Sequence, residues 1–272
     1  MRMSLSKKII LYILLTISAL IIFLPIILAF LMSFMNNQDV MLGKIIPSTW
    51  TIENYVKAFE RLPLLKFLLN SFISSLLIMI GQLVLSSLAA YAFVFLKFKG
   101  RDVIFYLFIA TMMIPFEASI IPNFQTIKGM NLIDTYPGLA LPFLATAFGT
   151  FLLRQTFKQI PKELKEASEV AGMGDFKFYL TVVLPVAKTS LVTLGIYGFL
   201  SAWNMYLWPL LSTTNDTVRT VQIGLKQLQS QETVNQWGVV MAGAMIVAIP
   251  TLLLLFFGQK KLQKGLAEGA LK

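Results

Sequence analysis

The chain has 272 residues, 57% of them hydrophobic and 13% charged, about half the charged share of an average soluble domain. Its formal net charge is +10, and it contains neither Cys nor His. Those absences exclude disulfide frameworks, thiolate chemistry, Ser–His and Cys–His pairs and the most frequent metal ligand, so most enzyme classes fall away.

A membrane span needs about 20 mostly apolar residues. Six segments qualify: residues 9–34, 67–95, 103–125, 136–153, 186–211 and 238–258. The first apolar run is longer than the ~7–15 residues of a signal peptide, and no small-residue cleavage site follows, so it reads as a retained span. After it, Pro47-Ser48-Thr49-Trp50 predicts a turn. A short amphipathic helix carrying Asn54, Tyr55, Ala58 and Phe59 then follows, with Trp and Tyr at the membrane interface. In the second span Ser71, Ser75, Gln82 and Ser86 recur at roughly helical spacing, which lets helices approach closely in lipid.

Pro115 and Pro122 in the third span, Pro142 in the fourth and Pro209 in the fifth remove backbone donors. Such breaks fit a bundle around a pathway and also fit ordinary kinked packing. Glu117 is the one ionisable residue this reading places within a span, and an intramembrane carboxylate is a functional-site candidate. The competing reading is an interfacial Glu facing water or a neighbouring subunit. In the fifth span Asn204 accompanies Trp203, Tyr206 and Trp208. An amide beside aromatic faces suits a sugar, although Trp and Tyr gather at membrane interfaces regardless of substrate. Residues 212–237 form the second large external segment.

Six spans put both termini on one side. With that side cytoplasmic, the amino end carries Arg2, Lys7 and Lys8, and the second-to-third loop carries Lys97, Lys99 and Arg101. The fourth-to-fifth loop carries Arg154, Lys158, Lys162, Lys165, Lys177 and Lys188, and the tail carries Lys260, Lys261, Lys264 and Lys272. Sixteen of the 23 basic residues then lie inside, as the positive-inside rule requires. Nucleic acid is the weaker explanation of the charge, because the basic residues sit at span ends.

The loop between the fourth and fifth spans is the most informative segment. Pro161 suits a first helical turn. Leu164, Ala167, Ser168 and Ala171 follow at i, i+3, i+4 and i+7, giving a narrow small-residue face. Gly172 stands where a helix C-terminal glycine belongs. The pattern predicts a short cytoplasmic helix, a turn, and a second helical stretch ending at Leu184-Pro185. Composition alone divides evenly between a helix lying on the membrane and a helix that docks a soluble partner.

The residue order resembles a known pattern. Glu166-Ala167-Ser168, three residues, Gly172, nine residues, then Val182-Val183-Leu184-Pro185 resembles the EAA loop of binding-protein-dependent ABC importer permeases. Ser168 for Ala and Val182 for Ile are the departures, both small and shape-preserving. The segments Phe151 to Gln155, Trp203 to Pro209 and Gly265 to Ala270 are similar to the carbohydrate-uptake, maltose-permease-like branch. Pro47 to Tyr55 and Met113 to Glu117 fit it too. The stretch beginning at Trp203 is most similar to second permease subunits of glycerol-3-phosphate importers.

The resemblance implies an all-α integral membrane protein with six transmembrane helices and the type I ABC importer permease fold. Residues 1–66 would form the first span and external loop, 67–258 the core with its EAA loop at about 154–185, and 259–272 a cytoplasmic tail. It implies a multi-pass protein of a prokaryotic inner or plasma membrane. Its partners would be membrane lipid, a second homologous permease, two ATPase subunits and an extracytoplasmic solute-binding protein. Glu166, Ala167, Ser168, Gly172, Leu184 and Pro185 would form the ATPase-coupling loop. No Walker-type phosphate loop occurs in the chain. ATP and Mg would therefore bind the partner ATPase subunits, with no cofactor, metal or catalytic residue here.

Glu117, Trp203, Asn204 and Tyr206 are the residues expected along the solute pathway. A phosphate ester carries close to two negative charges, and the spans as read hold no basic residue. That favours a sugar or oligosaccharide, with glycerol-3-phosphate or a related phosphodiester as the alternative. A secondary transporter would need coupling carboxylates or paired broken repeats, and a membrane enzyme would need a cluster of acids, bases or metal ligands.

Overall fold

The computed structural model describes residues 5–231 and 236–270. Arg2, Lys272 and residues 232–235 of the second external segment lie outside the described residues, as do the side chains of residues 264–270. Among the described residues every regular element is helical.

Three helices are long and apolar enough to cross a bilayer: Lys7–Ser33, Leu64–Phe95 and Trp237–Lys261. Three more spans are each a bent pair: Arg101–Met113 with Phe116–Gly129 at 100°, Tyr136–Phe143 with Ala147–Phe157 at 53°, and Asp175–Val186 with Lys188–Trp203 at 79°. Counting each pair once gives the expected six. Local causes of the bends are visible. Ile114 precedes Pro115 and is pushed to φ −90°, ψ 113°, because the proline ring disfavours helical backbone before it. Thr146 is extended at φ −133°, ψ 127°. The last pair contains a π turn over Tyr179–Val183 and then Pro185, which lacks the N–H a helix interior needs.

The fifth span differs from its expected range of 186–211. The helix Lys188–Trp203 stops with Asn204 as its C-cap, and a separate helix Leu207–Ser212 follows. The restart places Pro209 in a first turn, where its missing donor costs little. Asn204 therefore sits at a helix end and not inside a continuous span.

The chain forms two compact units, Met1–Leu65 with Gly224–Ile249, and Lys66–Ile223 with Pro250–Lys272. In the first, the predicted turn and helix fold back on the end of the first span. The helix Glu53–Arg61 buries Asn54 and Ala58. The Asn54 amide donates to the carbonyls of Ser33 and Met35 at 3.0 and 2.8 Å, and Tyr55 pairs its hydroxyl with Ser33 at 2.8 Å. Nearby, Asp39 accepts from Lys44 Nζ and from the Ser48 N–H, both at 2.8 Å. The lysine first, then the Ser48 amide, hold its carboxyl below the usual carboxylate range. That contribution to stability is present above the ordinary carboxylate pKa and is lost as pH falls through the lowered one. The apolar window of the first helix is 0% buried within the chain, which leaves its side chains for lipid or another chain to cover.

In the second unit the polar face of Leu64–Phe95 serves packing. Asn70 donates to the carbonyls of Thr217 and Arg219 at 3.1 and 3.0 Å and accepts from the Tyr136 hydroxyl at 2.7 Å. Ser71 accepts the Val221 N–H at 2.8 Å, and Ser75 and Ser86 are fully buried. Gly138 stands in the crowded start of the fourth span, where Thr135 caps its N–H at 3.1 Å. A Cβ added there would collide with the Leu132 carbonyl oxygen, whereas one at Gly129 meets open space. Gly138→Ala should lower stability by about 1–3 kcal/mol, while Gly129→Ala should leave it unchanged or raise it by up to about 1 kcal/mol. Fluorescence-detected thermal unfolding of the purified protein compares the two.

Candidate functional site

The EAA segment folds as the helix Lys162–Val170, with Pro161 as its N-cap, one position earlier than expected. Ser168 is 5% exposed and donates its hydroxyl to the Lys165 carbonyl at 2.7 Å. Leu164, Ala167, Val170 and Ala171 are exposed, as is Glu166. The expected small-residue face is thus split: Ser168 turns to the protein, and an apolar strip turns outward. The helix ends with the Gly172 N–H on the Glu169 carbonyl at 3.0 Å and the Met173 N–H on the Ser168 carbonyl at 2.8 Å. Those two bonds make a Schellman ending, which requires a left-handed residue, and Gly172 supplies it at φ +68°. Met173 then packs on the buried core around Phe157, Phe178 and Val183.

That core ties the EAA helix to the spans. Lys165 Nζ lies 2.6 Å from the Asp175 carboxylate and 3.4 Å from that of Glu169, and 5.1 Å above the Phe178 ring. The hydrogen bond to Asp175 is the main reason the Lys165 pKa is raised. This pairing persists at neutral pH; it is lost as pH rises through the raised lysine value, or as pH falls through the Asp175 value that the same contact lowers. The Tyr91 hydroxyl, on the second span, lies 3.0 Å from Oδ1 and 3.1 Å from the carbonyl of the same Asp175. Tyr179 meets Tyr91 edge-on at 5.4 Å and pairs with the Ser87 hydroxyl at 2.7 Å. Leu184 packs on this core, and exposed Pro185 marks the 79° bend.

Sequence reasoning put Arg154 in the loop. It lies instead in the last turn of Ala147–Phe157, 7% exposed. Its guanidinium sits 3.8 Å over the Phe105 ring and 3.6 Å from the Asp102 carboxylate. A basic residue is therefore buried within a candidate span. The uninterrupted run of helix-forming residues from Phe151 to Phe157 was the available signal.

A cavity of about 640 Å³ opens along the broken third and fourth spans. Gln82, Thr111, Ser119, Asn123, Thr146 and Tyr197 supply its polar lining, Phe116, Phe143 and Phe148 supply aromatic faces, and no charged residue lines it. The Gln82 amide donates to the Phe143 carbonyl at 2.9 Å, while its buried Oε1 has no hydrogen-bond partner. None of the four expected pathway residues lines this cavity. Glu117 is exposed in the first turn of Phe116–Gly129. Asn204 is exposed and donates to the Leu200 carbonyl at 2.8 Å. Trp203 is 2% exposed and stacks on Phe199 at 5.9 Å, and Tyr206 is half-buried at the start of Leu207–Ser212. The prolines of the third and fourth spans were read as breaks that fit either a pathway or kinked packing, and the cavity lies along those two spans.

The family model described as the binding-protein-dependent transport system inner membrane component matches residues 82–267, a range that includes both the EAA loop and the cavity. The chain belongs to this family. It is 35% identical over 271 residues to the sn-glycerol-3-phosphate transport system permease protein UgpE of Agrobacterium fabrum, covering 96% of each chain. Identity is 36% over 267 residues to the UgpE of Rhizobium meliloti, covering 94% of this chain and 95% of that one. A solved bacterial ABC transporter involved in the import of the acidic polysaccharide alginate superposes with a TM-score of 0.84 at 24% identity, covering 96% of this chain and 99% of that one. The fold is that of a type I ABC importer permease, and the chain is the transmembrane permease subunit of a binding-protein-dependent importer.

In this permease the Schellman ending isolates one backbone effect. A Cβ at Gly172 meets no atom within 4 Å, so Gly172→Ala should cost only the left-handed backbone strain, about 1–2 kcal/mol. Gly174, at φ −67°, should accept Ala without loss. Hydrogen exchange at the Gly172 and Met173 amides should quicken on the order of tenfold in the first variant, from that strain, and stay unchanged in the second.

Proposed function

We propose that the EAA helix is the point where ATPase closure is passed to the spans. The supporting observation is that one helix, Leu64–Phe95, carries both Tyr91, held on Asp175 of the EAA loop, and Gln82, on the cavity wall. The outward strip of Leu164, Ala167 and Val170, with exposed Glu166 beside it, suits a groove on a soluble subunit. Glu166 offers a carboxylate to an Arg or Lys of that subunit, and Gly172 fixes the angle at which the chain leaves the helix. ATP and Mg belong to two such ATPase subunits, and hydrolysis takes place there. A second homologous permease completes the pathway, and an extracytoplasmic binding protein delivers the solute. The EAA loop and both termini face the cytoplasm, as the charge distribution supports.

Glu166→Lys reverses the contact charge without touching lipid. A charge-assisted hydrogen bond contributes about 1.5–3 kcal/mol, so solute-stimulated ATP hydrolysis by the reconstituted importer should fall at least about tenfold. Membrane abundance should hold. Normal stimulation together with normal ATPase copurification would reduce the loop to a solvated helix.

The cavity supports a neutral polyhydroxylated solute, a sugar or oligosaccharide. Amides and hydroxyls meet its hydroxyl groups, and phenylalanine faces meet its C–H surfaces. The second reading, sn-glycerol 3-phosphate or a related phosphodiester, is favoured by the relatives, which are sn-glycerol-3-phosphate transport system permeases. Its phosphate would need cations from the sibling subunit. Asn123→Ala and Tyr197→Phe each remove one hydrogen-bonding group, and uptake at limiting solute should fall roughly two- to tenfold. Wild-type uptake in both variants would remove the cavity from the pathway. Competition between labelled solute and unlabelled sugar or glycerol 3-phosphate separates the two solute readings.

A further inference from the structure

The loop between the first span and the helix Glu53–Arg61 is built inside out. Six of the twelve residues 41–52 are large and apolar. These six, Met41, Leu42, Ile45, Ile46, Trp50 and Ile52, are each 61 to 72% exposed. The polar side chains turn the other way. Asn36 accepts the Asp39 N–H at 2.8 Å and donates to the Thr49 hydroxyl at 3.2 Å. Asp39 is 2% exposed and accepts from Lys44 Nζ, the Ser48 N–H and the Ser48 hydroxyl. Lys44 is the one charged residue within 41–52, and its Nζ is held by Asp39 and by the Ser48 hydroxyl at 2.6 Å. A loop surrounded by water would show the reverse arrangement, and an exposed apolar patch of this extent marks a contact surface.

We propose that Met41, Leu42, Ile45 and Ile46 enter the interfacial layer of the bilayer at this end of the first span and anchor the loop there. Asn36 follows closely on Ser33, the last residue of that span. The loop then returns to the same level, where the Thr51 N–H meets the Phe34 carbonyl at 3.0 Å. Both of its ends thus stand where the span leaves the hydrocarbon, and the contacts of Asp39 fold the segment between them back on itself. Gly43, at φ +66°, makes the turn between the two apolar pairs. The Phe34 ring lies 5.8 Å from Trp50 and 5.2 Å from Tyr55, an aromatic cluster of the kind found at headgroup level. A bilayer covers such a patch continuously and demands no matching shape or hydrogen bonds. A soluble binding protein would leave it in water between visits. The same anchoring holds whichever side of the membrane that end faces.

The test uses the whole importer in phosphatidylcholine nanodiscs, with Leu42→Cys or Ile45→Cys carrying an environment-sensitive fluorophore. This chain has no other cysteine, and the unsubstituted complex taken through the same labelling gives the background from partner subunits. The label should emit blue-shifted at either position, and lipids brominated in the upper acyl chain should quench most of its emission. The same label at Glu60→Cys, an exposed position on the helix Glu53–Arg61, should stay red-shifted and unquenched. With Leu42→Ser and Ile46→Ser added, the label at Ile45→Cys should lose its quenching, because the side chains that hold the loop down are gone. Unquenched emission at both Leu42→Cys and Ile45→Cys would overturn the proposal, as would equal quenching at Glu60→Cys or full quenching kept in the serine background. Emission that shifts only when a binding protein is added, or cross-linking of Ile45→Cys to the sibling permease without quenching, would also overturn it, by assigning the patch to a protein.

Discussion

Within a bilayer no water is at hand for a freed backbone N–H or C=O, so a span can break only where the protein itself takes over those groups. The second span meets that constraint for its neighbours. Gln82 reaches the Phe143 carbonyl, and Asn70 holds the carbonyls that precede Val221. Trp208 does the same for the Gly138 carbonyl at 3.2 Å. At the 100° bend the chain closes on itself, with the Ala118 N–H on the Pro115 carbonyl at 3.1 Å. Where these repairs are made, the walls stay polar but uncharged. The broken backbone and the solute-sized cavity meet at Gln82: its amide takes up the Phe143 carbonyl, and the same side chain is part of the cavity's polar lining.

A loop transmits force only if it is stiffer than what it pushes. Residues 162–185 would be soft as a free excursion from the membrane. They are not free, because Phe178 and Val183 are fully buried among span residues. Lys165, Asp175 and Tyr91 form a polar chain from the EAA helix to the second span. Gln82 lies nine residues from Tyr91 on that same helix, about 13.5 Å along its axis. A tilt imposed at Tyr91 is thus felt at the cavity wall with no flexible element between them. If ATPase docking moves the EAA helix, as proposed, that displacement would reach the cavity wall as rigid-body movement of a packed element.

Much of this was legible in the sequence, for identifiable reasons. Span lengths follow from apolar runs, and the left-handed Gly172 follows from its place after a helical face. The turn and helix around Asn54 and Tyr55 follow from punctuation and amphipathic spacing. What escaped depended on contacts between distant residues. Ser168 falls on the same nominal stripe as Leu164 and Ala167, and only the Schellman ending and the core beneath it decide that it turns inward. Arg154 reads as a loop cation until Phe105 and Asp102 arrive from another span. Asn204 reads as mid-span, because an apolar run continues across it and hides the restart that Pro209 imposes. The cavity joins residues from Gln82 to Tyr197, and no local period encodes such a meeting.

The charge of the solute is where relatives and geometry pull apart, and the position of Arg154 bears on it. A buried guanidinium in a candidate span would ordinarily suggest a phosphate ligand. Here its face is covered by Phe105 and its charge leans on Asp102; it ties two spans together, is 7% exposed and does not line the cavity. The cavity wall offers amides, hydroxyls and rings, which suffice for a neutral polyol and fall short for a doubly charged ester. If the importer moves a phosphate ester, the countercharge must stand on the sibling permease, and the two subunits divide recognition between them. This chain would then read the hydroxyls while its partner reads the phosphate. A neutral sugar needs no such division, because the same wall can meet it alone.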